Sequence, residues 1–166
     1  LCGLIIPKIL QMLDFLVYQP GVDYYGEVHS TFQNSIIHTI FMPVTIYGML
    51  LWIPQTIIYI VGWDKLEKKI KTKRAIDIQH FLYIMYMTHY LTIHLGIGLL
   101  VVYIYVYPLL YSEQFYISQN TSHVIKIGLA ISTTSLVIQE YFGHYLSGDE
   151  PSRPEAVFNA VLYATY

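Results

Sequence analysis

The chain has 166 residues, 55% of them apolar and only 12% charged, with a formal net charge of −2. One domain fits that length and two do not fit comfortably, while the charge is about half that of an ordinary soluble domain. The charge balance does not suggest nucleic acid as a partner, and the single cysteine, Cys2, excludes a disulfide framework and any multi-cysteine metal site.

The stretch YYGEVHSTFQNSIIHTIFMP, residues 24–43, opens the first apolar run and sets His29, Asn34 and His38 into it. Asn34 and His38 are four apart and share one helical face. On a regular helix His29 and His38 lie about half a turn from each other. They converge only if the backbone bends or unwinds near residues 29–33. The apolar run itself covers residues 36–62, with Pro54 placed to turn or kink it. Then comes WDKLEKKIKTKRAID, in which Lys65, Lys68, Lys69, Lys71, Lys73 and Arg74 outweigh Asp64, Glu67 and Asp77. Its positive charge reads as a cytosolic loop.

A second apolar run covers residues 81–111, with GIG at 96–98 as its point of weakness and Pro108 near its end; a third covers 124–142. The tail QEYFGHYLSGDEPSRPEA closes that third run with Gln139, Gly143 and His144, followed by Asp149, Glu150, Arg153 and Glu155. Pro151 and Pro154 stop the helix there, and taken alone the tail is a solvated exit from the membrane. Gly143 lets another backbone or a ligand come close.

A crossing takes about 20 apolar residues, so 124–142 crosses once and the other two runs are over-long. The expected fold is all-α: an integral membrane helical bundle of about four crossings, with room for short or re-entrant helices, forming a single embedded domain over residues 1–166. Two arrangements reach four crossings. Either 36–62 folds back as a short hairpin while 81–111 crosses once with tilt, or the reverse. The first, which puts His29 and His144 on the cytosolic side with the basic loop, is preferred. Seventeen tyrosines suit the headgroup level, and no cleavable signal peptide is expected.

Ionisable groups at membrane depth are expensive and are functional candidates by default. The seven histidines differ in weight. His80 flanks the basic loop, and His89 and His94 are five apart, a spacing that does not stack on one face. All three read as structural or interfacial. His123, beside Thr121 and Ser122 as caps, reads as a helix-start residue. His38 alone would simply hydrogen-bond a neighbouring helix. Together, His29, His38 and His144 with the carboxylates that follow make a histidine-rich, carboxylate-assisted site. Such donors with open positions suit ferrous iron in oxygen chemistry; zinc is the less favoured ion.

These two regions resemble the membrane-bound 2-hydroxy fatty acid dioxygenase family of fungal phytosphingosine breakdown and its bacterial relatives. The first signature, a histidine, an asparagine, Ile-His and a proline, stands here as His29, Asn34, Ile37-His38 and Pro43. The second, a glutamine, Gly-His, and an acid before a proline, stands as Gln139, Gly143-His144, Glu150 and Pro154. Together they cover roughly residues 20–62 and 135–160, and the middle matches only in hydrophobicity. The acid follows Gly-His two residues later than in the family, so either Glu150 or Asp149 takes its place.

The resemblance implies an Fe(II)-dependent oxidoreductase of the endoplasmic reticulum membrane, or of the inner membrane in a bacterial member. Its substrates would be dioxygen and a long-chain 2-hydroxy fatty acid, cleaved by α-oxidation to the acid one carbon shorter. In that reading His29, His38 and His144 ligate iron, and Glu150 is a further ligand or orients an imidazole. Asn34 and Gln139 hydrogen-bond substrate or ligands, while the acyl tail stays among the crossings, within the membrane lipid. Two rivals differ in class. A di-iron lipid hydroxylase or desaturase uses adjacent histidine pairs, of which this chain has none. A non-catalytic membrane scaffold or transporter subunit would use its histidines as interhelical hydrogen bonders.

Overall fold

A computed structural model describes residues 30–93 and 95–149. Those residues hold four long helices and no strand: α1 (Phe32–Ile60), α2 (Lys68–Ile93), α3 (Leu95–Ser118) and α4 (Thr121–Ile138). A short 3-10 turn (Trp63–Lys65) precedes α2, and a π-helical segment (Gln139–Tyr145) continues α4. His29, Glu150 and His94, all singled out by the sequence, lie outside the described residues. Two compact units divide the chain, one formed by the residues up to Thr39 with those from Gln139 on, the other by Ile40–Ile138.

α1 and the continuous stretch Thr121–Tyr145 are long and apolar enough to cross a membrane. At 29 and 25 residues they reach about 43 and 37 Å. Only 33% and 22% of their apolar windows are buried, whereas the core helix of a water-soluble protein hides most of its length. Polarity is inverted accordingly. Phe32, Ile40, Leu99, Leu100, Ile117 and Val137 face outward, while Asn34, His38, Gln79, Ser112, Gln139 and His144 are buried. Oily outsides with polar insides support membrane association.

Pro54 was expected to turn residues 36–62 back on themselves. Instead α1 runs through both Pro43 and Pro54 as one helix, and the preferred arrangement is overturned. Pro54 has no N–H for the carbonyl of Leu50, four residues back. Two side chains fill that gap: Gln79 Nε2 donates to Leu50 O at 2.8 Å, and the Tyr116 hydroxyl reaches the same oxygen at 2.9 Å and that of Leu51. Re-satisfied in this way, a proline helix stays intact even in an apolar setting. Left-handed Gly62, at φ 74°, then ends the element.

The chain folds back in the second apolar run instead, between α2 and α3. α2 and α3 are antiparallel: Tyr83 donates to Val102 O at 3.1 Å, and His80 Nε2 lies 3.0 Å from Glu113 Oε1. Near the turn a Cβ on Gly98 would stand 2.7 Å from Leu91 Cα, so the two backbones touch there. Within the same unit α1 and α4 also meet through small residues. A Cβ on Gly48 would fall 2.6 Å from Ser132 N and 2.8 Å from Gly128 O. Without a hydrophobic drive between helices in lipid, such close approach lets dispersion and polar contacts act. Thr45, Ser135 and Trp52 supply the latter, with Thr45 Oγ1 and Ser135 Oγ 2.8 Å apart and Trp52 Nε1 donating to Ser132 Oγ at 3.2 Å. The buried centre of this unit is Leu51, Ile58, Ala75, Tyr116 and Val124.

Candidate functional site

The other unit brings the two ends of the described chain together. One of them is the start of α1. Ser30 and Thr31 precede the helix and are not helical. Thr31 acts as N-cap, its Oγ1 accepting from Asn34 N at 3.3 Å. Asp149, 118 positions away, completes the cap. It accepts from Thr31 N at 3.2 Å, from Thr31 Oγ1 at 2.8 Å and from Ser30 Oγ at 2.7 Å. A carboxylate at a helix N-terminus is also favoured by the macrodipole.

From that anchor the network turns inward. Asn34 Nδ2 donates to Asp149 Oδ2 at 2.8 Å and lies 3.3 Å from His144 Nδ1. His38, one turn along the same face as Asn34, meets His144 edge-on with ring centroids 5.1 Å apart at 77°. Asn34, His38, Gln139 and His144 are all at most 2% exposed.

The π-helical winding explains why both Gly143 and His144 reach this point. On an α-helix at 100° per residue, His144 would lie about 140° away from Gln139. At the wider π turn, about 82° per residue, Gly143 and His144 fall on either side of the Gln139 direction. Gln139, Gly143 and His144 are indeed the buried residues of the segment. Its end is tied by the Ser147 hydroxyl, which donates to Gly143 O, and by Gly148 N donating to His144 O at 3.1 Å. Gly148 takes the left-handed conformation, φ 80°, that terminates the helix.

Gly143 makes the approach feasible. A Cβ there would stand 2.8 Å from Asn34 Oδ1 and 3.2 Å from His38 Nε2. Burial of Asp149 opposes its ionisation, yet the hydrogen bonds from Asn34, Ser30 and Thr31 outweigh that effect. Its carboxyl is held well below the usual carboxylate range.

Of the residues picked from the sequence, Asn34, His38 and His144 are close neighbours in this unit, and Gln139 is buried in it. Asp149, the alternative to Glu150, is hydrogen-bonded to Asn34. His80 and His89 lie in the other unit, with His80 paired to Glu113. His123 N donates to Asn120 Oδ1 at 2.8 Å, so Asn120 rather than Thr121 or Ser122 caps α4. Ser30 and Thr31 were missed. Their signal was present as a Ser-Thr pair three residues before a buried asparagine, an N-cap pattern.

Do these residues fit the ferrous ion that the resemblance implies? Bonds of about 2.1 Å put a ring centre about 3.2 Å from a first-row ion, so two ligating imidazoles stand about 4.5–5.2 Å apart. His38 and His144 meet that separation. Asp149 oxygens are already committed to the α1 cap and to Asn34, which makes this carboxylate an orienting group. Among the described residues no cluster of three or more His, Cys, Asp or Glu is gathered for a metal. Two imidazoles therefore fit as part of a ligand set. No family model, curated protein or solved structure matches the chain.

Proposed function

We propose that the chain is an Fe(II)-dependent membrane dioxygenase that shortens long-chain 2-hydroxy fatty acids by one carbon. The observation that carries this reading is the contact of His38 with His144, edge to face at 5.1 Å, with Asn34 joining His144 to Asp149. Both sequence signatures thus contribute to one buried polar cluster from positions more than a hundred residues apart. Polar groups so placed in an otherwise oily setting point to chemistry rather than to stability alone.

His38 and His144 would hold the ion, with His29 as the third ligand. Ferrous iron supplies the electronic route by which triplet dioxygen oxidises a closed-shell acid. Asn34, clamped by Asp149, orients the His144 ring. Gln139 hydrogen-bonds the carboxylate or 2-hydroxyl of the substrate. The acyl tail lies along the apolar helices, each buried methylene contributing about 0.8 kcal/mol. Overall, one 2-hydroxy acid and one dioxygen give the acid one carbon shorter, carbon dioxide and water, and the atoms and electrons balance without a further reductant.

Four crossings, one per helix, accompany this reading. Between the basic loop and the site the chain then crosses an odd number of times, so the two lie on opposite faces. The positive-inside rule puts the loop in the cytosol and the site on the far side, for instance the lumen of the endoplasmic reticulum.

The deciding experiment loads the purified protein with ferrous iron anaerobically, then supplies a 2-hydroxy fatty acid and oxygen. Mass spectrometry is expected to find the acid one carbon shorter, formed only with both iron and oxygen. Absence of that product from a folded protein that retains iron overturns the assignment. Failure to retain any transition metal favours a non-catalytic scaffold.

A further inference from the structure

A second polar feature lies within Ile40–Ile138 and has no part in the site above. A pocket of about 210 Å³ opens where the end of α1, the 3-10 turn, the start of α2 and the N-terminus of α4 come together. It is larger than the roughly 150 Å³ cavity that accepts a benzene ring. Ile58 and Ile125 give it apolar walls, and Asp64, Lys71 and Thr121 give it polar ones. Gln55 also lines it. That side chain is 96% buried (4% exposed), and its Oε1 has no hydrogen-bond donor. An unsatisfied buried acceptor is costly, which is a strong reason for a donor to enter.

The remaining groups define what carries that donor. Asp64 and Lys71 are not paired with each other; the ion pairs among the described residues are Arg74–Asp77 and His80–Glu113. Both charges are therefore available to a ligand. α4 begins at Thr121, and its Asn120 cap serves only the amide of His123. The other first-turn amides and the positive dipole end remain for an anion. One pocket thus offers a cation and a helix N-terminus for a negative group, an anion and a bare acceptor for an N–H donor, and apolar wall between. The flanking Lys65, Lys68 and Lys69 and exposed Trp63 suit the headgroup level of a membrane.

We propose that this pocket binds phosphoethanolamine, as the headgroup of a phospholipid. The phosphate meets Lys71 and the α4 N-terminus. The ammonium donates to Gln55 Oε1, Asp64 supplies its countercharge, and the two-carbon link lies against Ile58 and Ile125. A choline headgroup has no N–H and leaves Gln55 unsatisfied, so the site discriminates between the two commonest zwitterionic headgroups.

The test uses the full chain in nanodiscs and in detergent. Native mass spectrometry measures retention of phosphatidylethanolamine against phosphatidylcholine of identical acyl chains, and calorimetry measures soluble phosphoethanolamine. The expected result is at least a tenfold preference for the ethanolamine lipid. Soluble phosphoethanolamine binding more weakly than the lipid supports a lipid source, and equal binding supports the same chemistry from a free headgroup. Gln55→Leu is expected to abolish the preference, and Lys71→Met, which removes a phosphate partner common to both headgroups, is expected to lower retention of both lipids at least tenfold. Asp64 is exposed, so Asp64→Asn, also expected to abolish the preference, decides the matter should Gln55→Leu fail to fold. Equal retention of the two lipids, a preference that survives Asp64→Asn, or retention unchanged by Lys71→Met overturns the proposal. Fatty acid turnover in Lys71→Met stays at the parent level, which separates this outcome from that of the dioxygenase reading.

Discussion

Asp149 Oδ2 stands 2.8 Å from Asn34 Nδ2, a hydrogen bond across 115 positions that decides which way the Asn34 carboxamide faces. With the nitrogen held on that side, Nδ2 also lies 3.3 Å from His144 Nδ1 and Oδ1 turns toward Gly143. One carboxylate therefore caps a helix and fixes the carboxamide that lies against a buried imidazole.

Asp149→Ala removes both functions. Loss of a cap of this kind costs about 1 kcal/mol, read as a lower midpoint in thermal or denaturant unfolding. Turnover is expected to fall at least tenfold, since Asn34 is then free to flip. Asp149→Asn, which keeps the shape but not the charge, is expected to recover part of the stability and little of the activity.

The same residue predicts a pH dependence. Its folded carboxyl titrates below its unfolded value, so the folded state holds the proton less tightly. The stabilisation is complete above the unfolded value, about 3.9, and is lost as the pH falls from there through the folded one. Unfolding followed from pH 6 down to pH 2 is expected to show that loss below about pH 4, and Asp149→Ala is expected to flatten it. An unchanged profile in the variant would assign the acid lability elsewhere.

Gly143→Ala tests the closeness of the two signatures. The added methyl collides with Asn34 Oδ1 and crowds His38 Nε2, and overpacking of this order costs about 1–3 kcal/mol. The cluster is expected to open and iron retention to drop, with turnover down at least a hundredfold. Helical content by circular dichroism remains, because alanine itself favours a helix.

Much of this cluster was legible in the sequence, and the reasons are specific. Asn34 and His38 stood out because their i, i+4 spacing survives in any helix. Gly143 and His144 were visible as residue types, but the π winding that turns both inward leaves no periodic trace. Asp149 and Glu150 were indistinguishable by spacing, and only the cap on Thr31 tells Asp149's role. The crossing pattern was misjudged for a related reason. Pro54 signals a break only if nothing replaces its missing N–H, and the replacements, Gln79 and Tyr116, lie far along the chain.

Iron retention separates ligands from neighbours. His38→Gln and His144→Gln keep side-chain volume and polarity, so both are expected to fold in detergent. Each is expected to lose ferrous iron and turnover together, whereas Gln139→Leu retains iron and raises KM. Full activity in His38→Gln would remove that residue from the site.

Helix packing gives a prediction independent of chemistry. At Gly48 a methyl has backbone on both sides, Ser132 N at 2.6 Å and Gly128 O at 2.8 Å, and neither can swing away. Gly48→Ala is expected to destabilise by about 1–3 kcal/mol, and Gly128→Ala by a similar amount. Ser132→Ala, which deletes an acceptor for Trp52 Nε1 but adds no bulk, is expected to cost less. Detergent-solubilised unfolding midpoints rank the three.

Crossing parity supplies the last prediction. If each helix spans once, Gly148 and Lys65 are separated by an odd number of crossings and face opposite compartments. Single cysteines at these positions, in a Cys2→Ser background, are labelled in sealed vesicles with a membrane-impermeant maleimide. One site is expected to react from outside and the other only after permeabilisation, with Lys65→Cys on the cytosolic side as its neighbouring lysines require. Labelling of both from the same side would mean that one of the helices turns back within the bilayer, and α2 is then the first suspect, because its opening turns carry Lys68, Lys69, Lys71, Lys73 and Arg74.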